Sequence, residues 1–133
     1  MRELIVLLSA ILVVLLNGYI GHHYPTSGIM GTPIILGISS LIIVLGARKS
    51  ASVLKSCFII FCALFNDYLL RKYSGGIHDS EGASWISMYF FYGLIASYLI
   101  LIFGTVTSKD KKINKIIAWS IFPLVVFLYW LIR

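Results

Sequence analysis

The sequence predicts an all-α integral membrane protein: a compact bundle of five transmembrane helices, forming one domain over residues 1–133. Three observations predict it. The chain is 59% hydrophobic and only 12% charged, more apolar surface than a soluble domain this short can keep from water. The apolar residues fall in continuous runs without the in-out alternation of membrane strands, which argues against a barrel. The lysines and arginines sit in the short links between runs, where they orient a protein in a bilayer rather than bind nucleic acid.

The five runs are 4–20, 29–45, 53–70, 85–103 and 116–132, each close to the roughly 20 residues a helix needs to cross hydrocarbon. The first resembles a signal peptide in its charged start. Its apolar core, however, passes into Asn17, Gly18, Tyr19 and Ile20 without a small-x-small cleavage site, so a retained helix is expected. The segment GHHYPTSG then reads as a turn-rich link. The second run carries Gly31, Pro33, Gly37, Ser39 and Ser40, which points to a kinked or partly re-entrant segment. Pro33 is placed near its start, where helical N–H groups have no partner anyway.

The third run holds both cysteines, Cys57 and Cys62, on different faces of one helix. They cannot pair, and no CxxC redox motif is present. Small-xxx-small pairs occur at Ser52 and Ser56 and, on the fourth run, at Gly93 and Ser97; they are read mainly as packing within the chain. In the fifth run Pro123 frees the carbonyl of Trp119, and a kink is expected there.

Five spans put the N-terminus and the links 46–52 and 104–115 on one side. That side carries Arg2, Arg48, Lys49, Lys55, Lys109, Lys111, Lys112 and Lys115, against Arg71, Lys72 and Arg133 on the other. The positive-inside rule then sets the N-terminus inside and the C-terminus outside. Four spans would scatter the basic links over both sides. Tyr19, Tyr24, Tyr68, Tyr73, Trp85, Tyr89, Tyr129 and Trp130 cluster toward the outer ends as an interfacial belt. The expected location is a bacterial plasma (inner) membrane, with the lipid bilayer as partner and a homo-oligomer or larger membrane complex as possible assemblies.

The functional candidates lie in the polar stretch NDYLLRKYSGGIHDSEGAS, 66–84, between the third and fourth runs. It holds three of the five acidic residues, Asp67, Asp79 and Glu81. Charge beside hydrocarbon costs free energy and usually serves a purpose. Asn66, Asp67, Arg71 and Lys72 are the candidate ligand-binding residues. Asp67 and Arg71 stand four apart on one helix face, so they form either an interfacial ion pair or part of an inward-facing site. Arg71 and Lys72 also suit an anionic head group.

His78, Asp79 and Glu81, with His22, form the candidate set for a divalent metal ion, the one cofactor the sequence suggests. The plainer reading makes Asp79 or Ser80 a helix cap with Glu81 favoured by the dipole, and leaves His22 and His23 solvated. DSEG resembles a fragment of a calcium loop whose remainder is missing. No Walker loop, HExxH or GxSxG-type nucleophile arrangement occurs.

Three function classes follow. One is an outward-facing polar site that binds a metal ion, a proton-coupled solute or an anionic lipid head group. Another is an accessory or regulatory subunit of a larger membrane complex. The third is a metal-dependent enzyme acting on a lipid-linked substrate, with His78 as base.

Overall fold

The computed structural model describes residues 1–74 and 80–132 and consists of five helices: α1 (Arg2–His23), α2 (Pro25–Gly46), α3 (Ser52–Tyr73), α4 (Ser80–Val106) and α5 (Lys112–Ile132). All five are long and apolar enough to cross a membrane, α2 included. Each outruns its apolar run at one or both ends. Hydropathy marks the hydrocarbon-facing stretch, whereas the helix continues into the polar boundary, where its backbone groups still need partners.

The segment GHHYPTSG is not a turn-rich link. α1 continues to His23 and α2 starts at Pro25, so only Tyr24 breaks the two helices, at φ −133° and ψ 77°. Pro25 explains the break. Its ring drives the preceding residue out of the helical region, while its fixed φ suits the first helical position. Pro33 therefore lies about two turns into α2 rather than near its start, and the helix passes through it. α5 likewise runs through Pro123, and the Trp119 carbonyl that Pro123 frees accepts the Tyr98 hydroxyl of α4 at 3.0 Å.

α3 is the hub. It packs against each of the other four helices, whereas α5 packs only on α3 and α4. α3 is also the least apolar of the five and the most buried. The two facts are linked: a helix packed on four neighbours can carry Ser52, Lys55, Ser56, Asn66 and Asp67 on its buried faces. Around it the core is built from Val14 of α1, Leu36 and Ile43 of α2, Ile59 of α3, Phe90 and Leu101 of α4, and Phe122 of α5.

Small residues set the closest approaches. A Cβ on Gly28 would run into the backbone of Gly21, so α1 and α2 touch main chain to main chain just beside the Tyr24 break. The Gly93–Ser97 pair packs α4 on α2: Gly93 faces Leu36, and Ser97 Oγ accepts from Ser40 Oγ at 2.9 Å. Ser56 donates to the Ala118 carbonyl at 3.0 Å and joins α3 to α5. Both pairs thus serve packing within the chain.

The acids at the basic end tie helix ends together. Glu3 accepts from Ser50 Oγ at 3.0 Å, and Asp110 accepts from the Ser52 N–H at 2.6 Å. The N-terminus and the links after α2 and α4 therefore share one end of the bundle, as five spans require. The Ser52 N–H, followed by the Asn114 side chain, holds the Asp110 carboxyl well below the usual carboxylate range.

Two tests follow from this packing. Gly28→Ala forces α1 and α2 apart and is expected to cost about 1–3 kcal/mol, read as a lower unfolding temperature in mild detergent. Because Asp110 titrates lower folded than unfolded, its stabilisation is complete above the ordinary carboxylate pKa of about 3.9 and is lost as pH falls through the lower folded value. Asp110→Asn should be less stable than wild type at neutral pH, with the gap closing only below about pH 4 in a pH series of melts.

Candidate functional site

The polar groups at the end opposite the basic links are gathered by α3. Gly18 and Gly21 of α1 present no side chain to α3; a Cβ on either would press on Leu69 or Leu70. That close approach brings Asn17 to Asn66, and Asn17 Nδ2 donates to Asn66 Oδ1 at 2.9 Å with both residues buried. An interhelical amide bond of this kind contributes about 0.6 kcal/mol, and at most about 1.7. Asn66 Nδ2 has no hydrogen-bond partner among the described residues.

One residue further, Asp67 turns toward α5. Its side chain is fully buried, at 0% exposure, and Oδ2 accepts two bonds: Arg71 Nε at 2.9 Å and the Tyr129 hydroxyl at 2.5 Å. Two geometric features of Asp67 coexist. It pairs with Arg71 one turn on, and it faces the bundle interior. Burying an ionised carboxylate in an apolar bundle is costly unless charge and hydrogen bonds compensate, and here a guanidinium and a phenol do so.

Arg71 spans two environments. Its side chain is 25% exposed; Nε serves Asp67, and Nη2 donates to Ser87 Oγ of α4 at 3.2 Å. It also lines a cavity of about 340 Å³ between α3, α4 and α5, together with Ala83, Ser84, Ser87 and Trp130. Those two bonds use two of the five N–H donors in the guanidinium fork. Directly adjoining is an apolar groove between α4 and α5, of about 410 Å³, walled by Phe90, Leu94, Tyr98, Phe122, Phe127 and again Trp130.

The remaining candidates are placed differently. Lys72 points away to the surface, donating to the Tyr68 hydroxyl at 2.9 Å and lying over the Tyr68 and Tyr73 rings. His22 is exposed and its Nδ1 bonds the Tyr73 carbonyl at 2.9 Å, which fastens the end of α1 to the end of α3; His23 packs on Tyr19. Glu81 is exposed in the first turn of α4. His78 and Asp79 lie outside the described residues. Among the described residues no three His, Cys, Asp or Glu side chains come together as a metal-holding group.

Three members of this network carry no mark as site residues in the sequence: Asn17, Ser87 and Tyr129. Asn17 had a legible signal, since a lone amide in an apolar helix seeks a partner across an interface. Tyr129 reads as one more belt residue, yet it is half-buried and turned inward. Comparison with protein-family models, with curated proteins and with solved structures finds no match for this chain.

The network predicts graded losses. Tyr129→Phe should lower stability by about 1 kcal/mol, the net worth of one hydrogen bond. Asp67→Ala, which strands Tyr129 and Arg71 together, should cost more, about 1–3 kcal/mol. In a double-mutant cycle of Asp67→Asn with Tyr129→Phe, a coupling of about 0.5 kcal/mol or more in detergent melts is expected.

Proposed function

We propose that this chain is a small polytopic membrane protein that binds an anionic lipid at the outer end of its bundle. The acidic head group lies on Arg71 and the hydrocarbon lies in the groove between α4 and α5. The observation that carries this reading is Trp130, which lines both the cavity holding Arg71 and the adjoining apolar groove. A polar cavity carrying a cation, set beside an apolar groove across Trp130, suits an amphiphile with a negative head.

The chemistry of the described groups favours an anion over a cation. The cation lining the cavity is the Arg71 guanidinium; the Ser84 and Ser87 hydroxyls beside it donate to the Ser80 and Ala83 carbonyls. A planar fork of this kind pairs with phosphate through parallel N–H bonds. Asp67, whose oxygen already receives Arg71 and Tyr129, anchors the fork rather than facing a metal. The outer assignment of this end rests on the excess of lysine and arginine at the opposite end.

Native mass spectrometry in mild detergent tests the reading with phosphatidate and, as a zwitterionic control, phosphatidylcholine. Arg71→Gln should weaken phosphatidate retention about tenfold, the effect of losing a charged hydrogen-bond pair. Ser84→Leu, which fills the cavity from an exposed position and leaves the Asp67 pair intact, should do the same. Equal retention of phosphatidate by wild type and both variants would remove the proposal.

A further inference from the structure

A cavity of about 700 Å³ lies at the other end of the bundle, between the ends of α2, α3 and α4. That is within the span usual for small-molecule sites, roughly 300–1,000 Å³. Its polar lining includes Arg48, Lys49, Lys55 and Lys109, with Asp110 the acid among them. Val44 and Leu45 supply an apolar wall.

Two contrasts separate this cavity from an ordinary basic rim. The first concerns Lys55, a lysine only 1% exposed, one turn into α3. Its hydrogen bond among the described residues is a long one, Nζ to the Arg48 carbonyl at 3.4 Å. Lys115 shows what a structural lysine at this end looks like: its Nζ donates to the carbonyls of Val106 and Ser108 at 3.1 and 2.7 Å and so caps the end of α4. A buried ammonium with so little compensation is costly, and an anion beside it would offset that cost.

The second contrast concerns Asp110. It is the obvious internal counter-ion, yet its oxygens are taken by the Ser52 and Lys111 N–H groups and the Asn114 amide. Among the described residues no ion pair joins it to Lys55, so its charge acts on the Lys55 ammonium without direct contact, one carboxylate against four cations. Four cations thus converge on one cavity whose carboxylate is engaged in holding helix ends.

We propose that this cavity is a second, separate binding site, for a phosphate-bearing anion, with Lys55 at its floor and Arg48, Lys49 and Lys109 at its mouth. The phosphate belongs either to a lipid head group of the adjacent leaflet or to a soluble phosphate ester. Juxtamembrane basic pockets between helices suit both, since the recognition is of the phosphate itself. This site stands apart from the Arg71 cavity and does not depend on it.

The test uses the full chain in mild detergent with Ser84→Leu in place, so that the other cavity is filled. Two probes are titrated: inorganic pyrophosphate by calorimetry, and short-chain phosphatidate by native mass spectrometry. Binding of phosphatidate alone supports a lipid head group; binding of pyrophosphate as well supports a soluble ester. Lys55→Met, which keeps the buried stem and removes the charge, should weaken whichever probe binds by about tenfold. Lys112→Met removes the same charge from the same end but outside the cavity, and should change binding less than about twofold. If Lys55→Met does not fold, the double variant Arg48→Gln, Lys109→Gln at the mouth replaces it, with the same expected loss. Failure of both probes to bind, or equal losses from Lys55→Met and Lys112→Met, would overturn the proposal.

Discussion

A carboxylate with no exposure to solvent or lipid sets the terms for one end of this bundle. Asp67 accepts from both Arg71 and Tyr129, partners that come from α3 itself and from α5. The fifth helix is therefore held by chemistry as much as by packing. It buries only Ala118 and Phe122 in the core and leaves most of its apolar surface outward. Without a hydrophobic drive between helices in lipid, polar contacts and close packing must position such a peripheral span. At the basic end the same role falls to Ser56 on the Ala118 carbonyl and to Trp119, whose Nε1 donates to Thr105 at 2.7 Å.

This arrangement turns the usual order of a water-soluble core around. The most polar helix is innermost, and the most apolar surfaces face outward. α3 carries a lysine, an aspartate and an asparagine in buried positions because its packed faces meet four neighbours, while Phe61 and Tyr68 lie on its exposed side. On the α1 side the close approach to α3 is made by residues without a side chain, Gly18 and Gly21, while Gly93 brings α4 onto α2. The glycines of α1 bring that helix near enough for Asn17 to satisfy the buried Asn66, whereas Asp67 is met by the long side chains of Arg71 and Tyr129.

Much of this was legible in the sequence, for identifiable reasons. Hydropathy located all five spans, because a bilayer imposes a length on every one of them. The spacing of Asp67 and Arg71 announced their pairing, since residues four apart share a helix face. The break between α1 and α2 was misread. Glycine, histidine and proline usually spell a turn, but a proline at the first helical position starts a helix as readily as it ends one. Tyr129 was assigned to the interfacial belt because hydropathy gives the depth of a residue along a span and not the direction it faces. The same gap hid Asn17 as a partner of Asn66. Of the metal candidates, Glu81 and His22 are exposed, and His78 and Asp79 lie beyond the described residues, so that grouping remains a sequence expectation.

Pro123 lends the fifth helix a property of its own. The turn that contains it lacks one backbone bond, and the carbonyl left over is tied to Tyr98 of α4. At the same level α5 is fastened through Ala118 and the Trp119 indole; above it, the polar fastening is Tyr129 on Asp67. The helix is thus a strut pinned at two levels, with its softest backbone between them. Swinging its upper half away from α4 would widen the groove toward the bilayer and draw the phenol off the buried carboxylate in a single movement. In this geometry, the width of the α4–α5 groove and the Tyr129–Asp67 hydrogen bond depend on the same half of one helix.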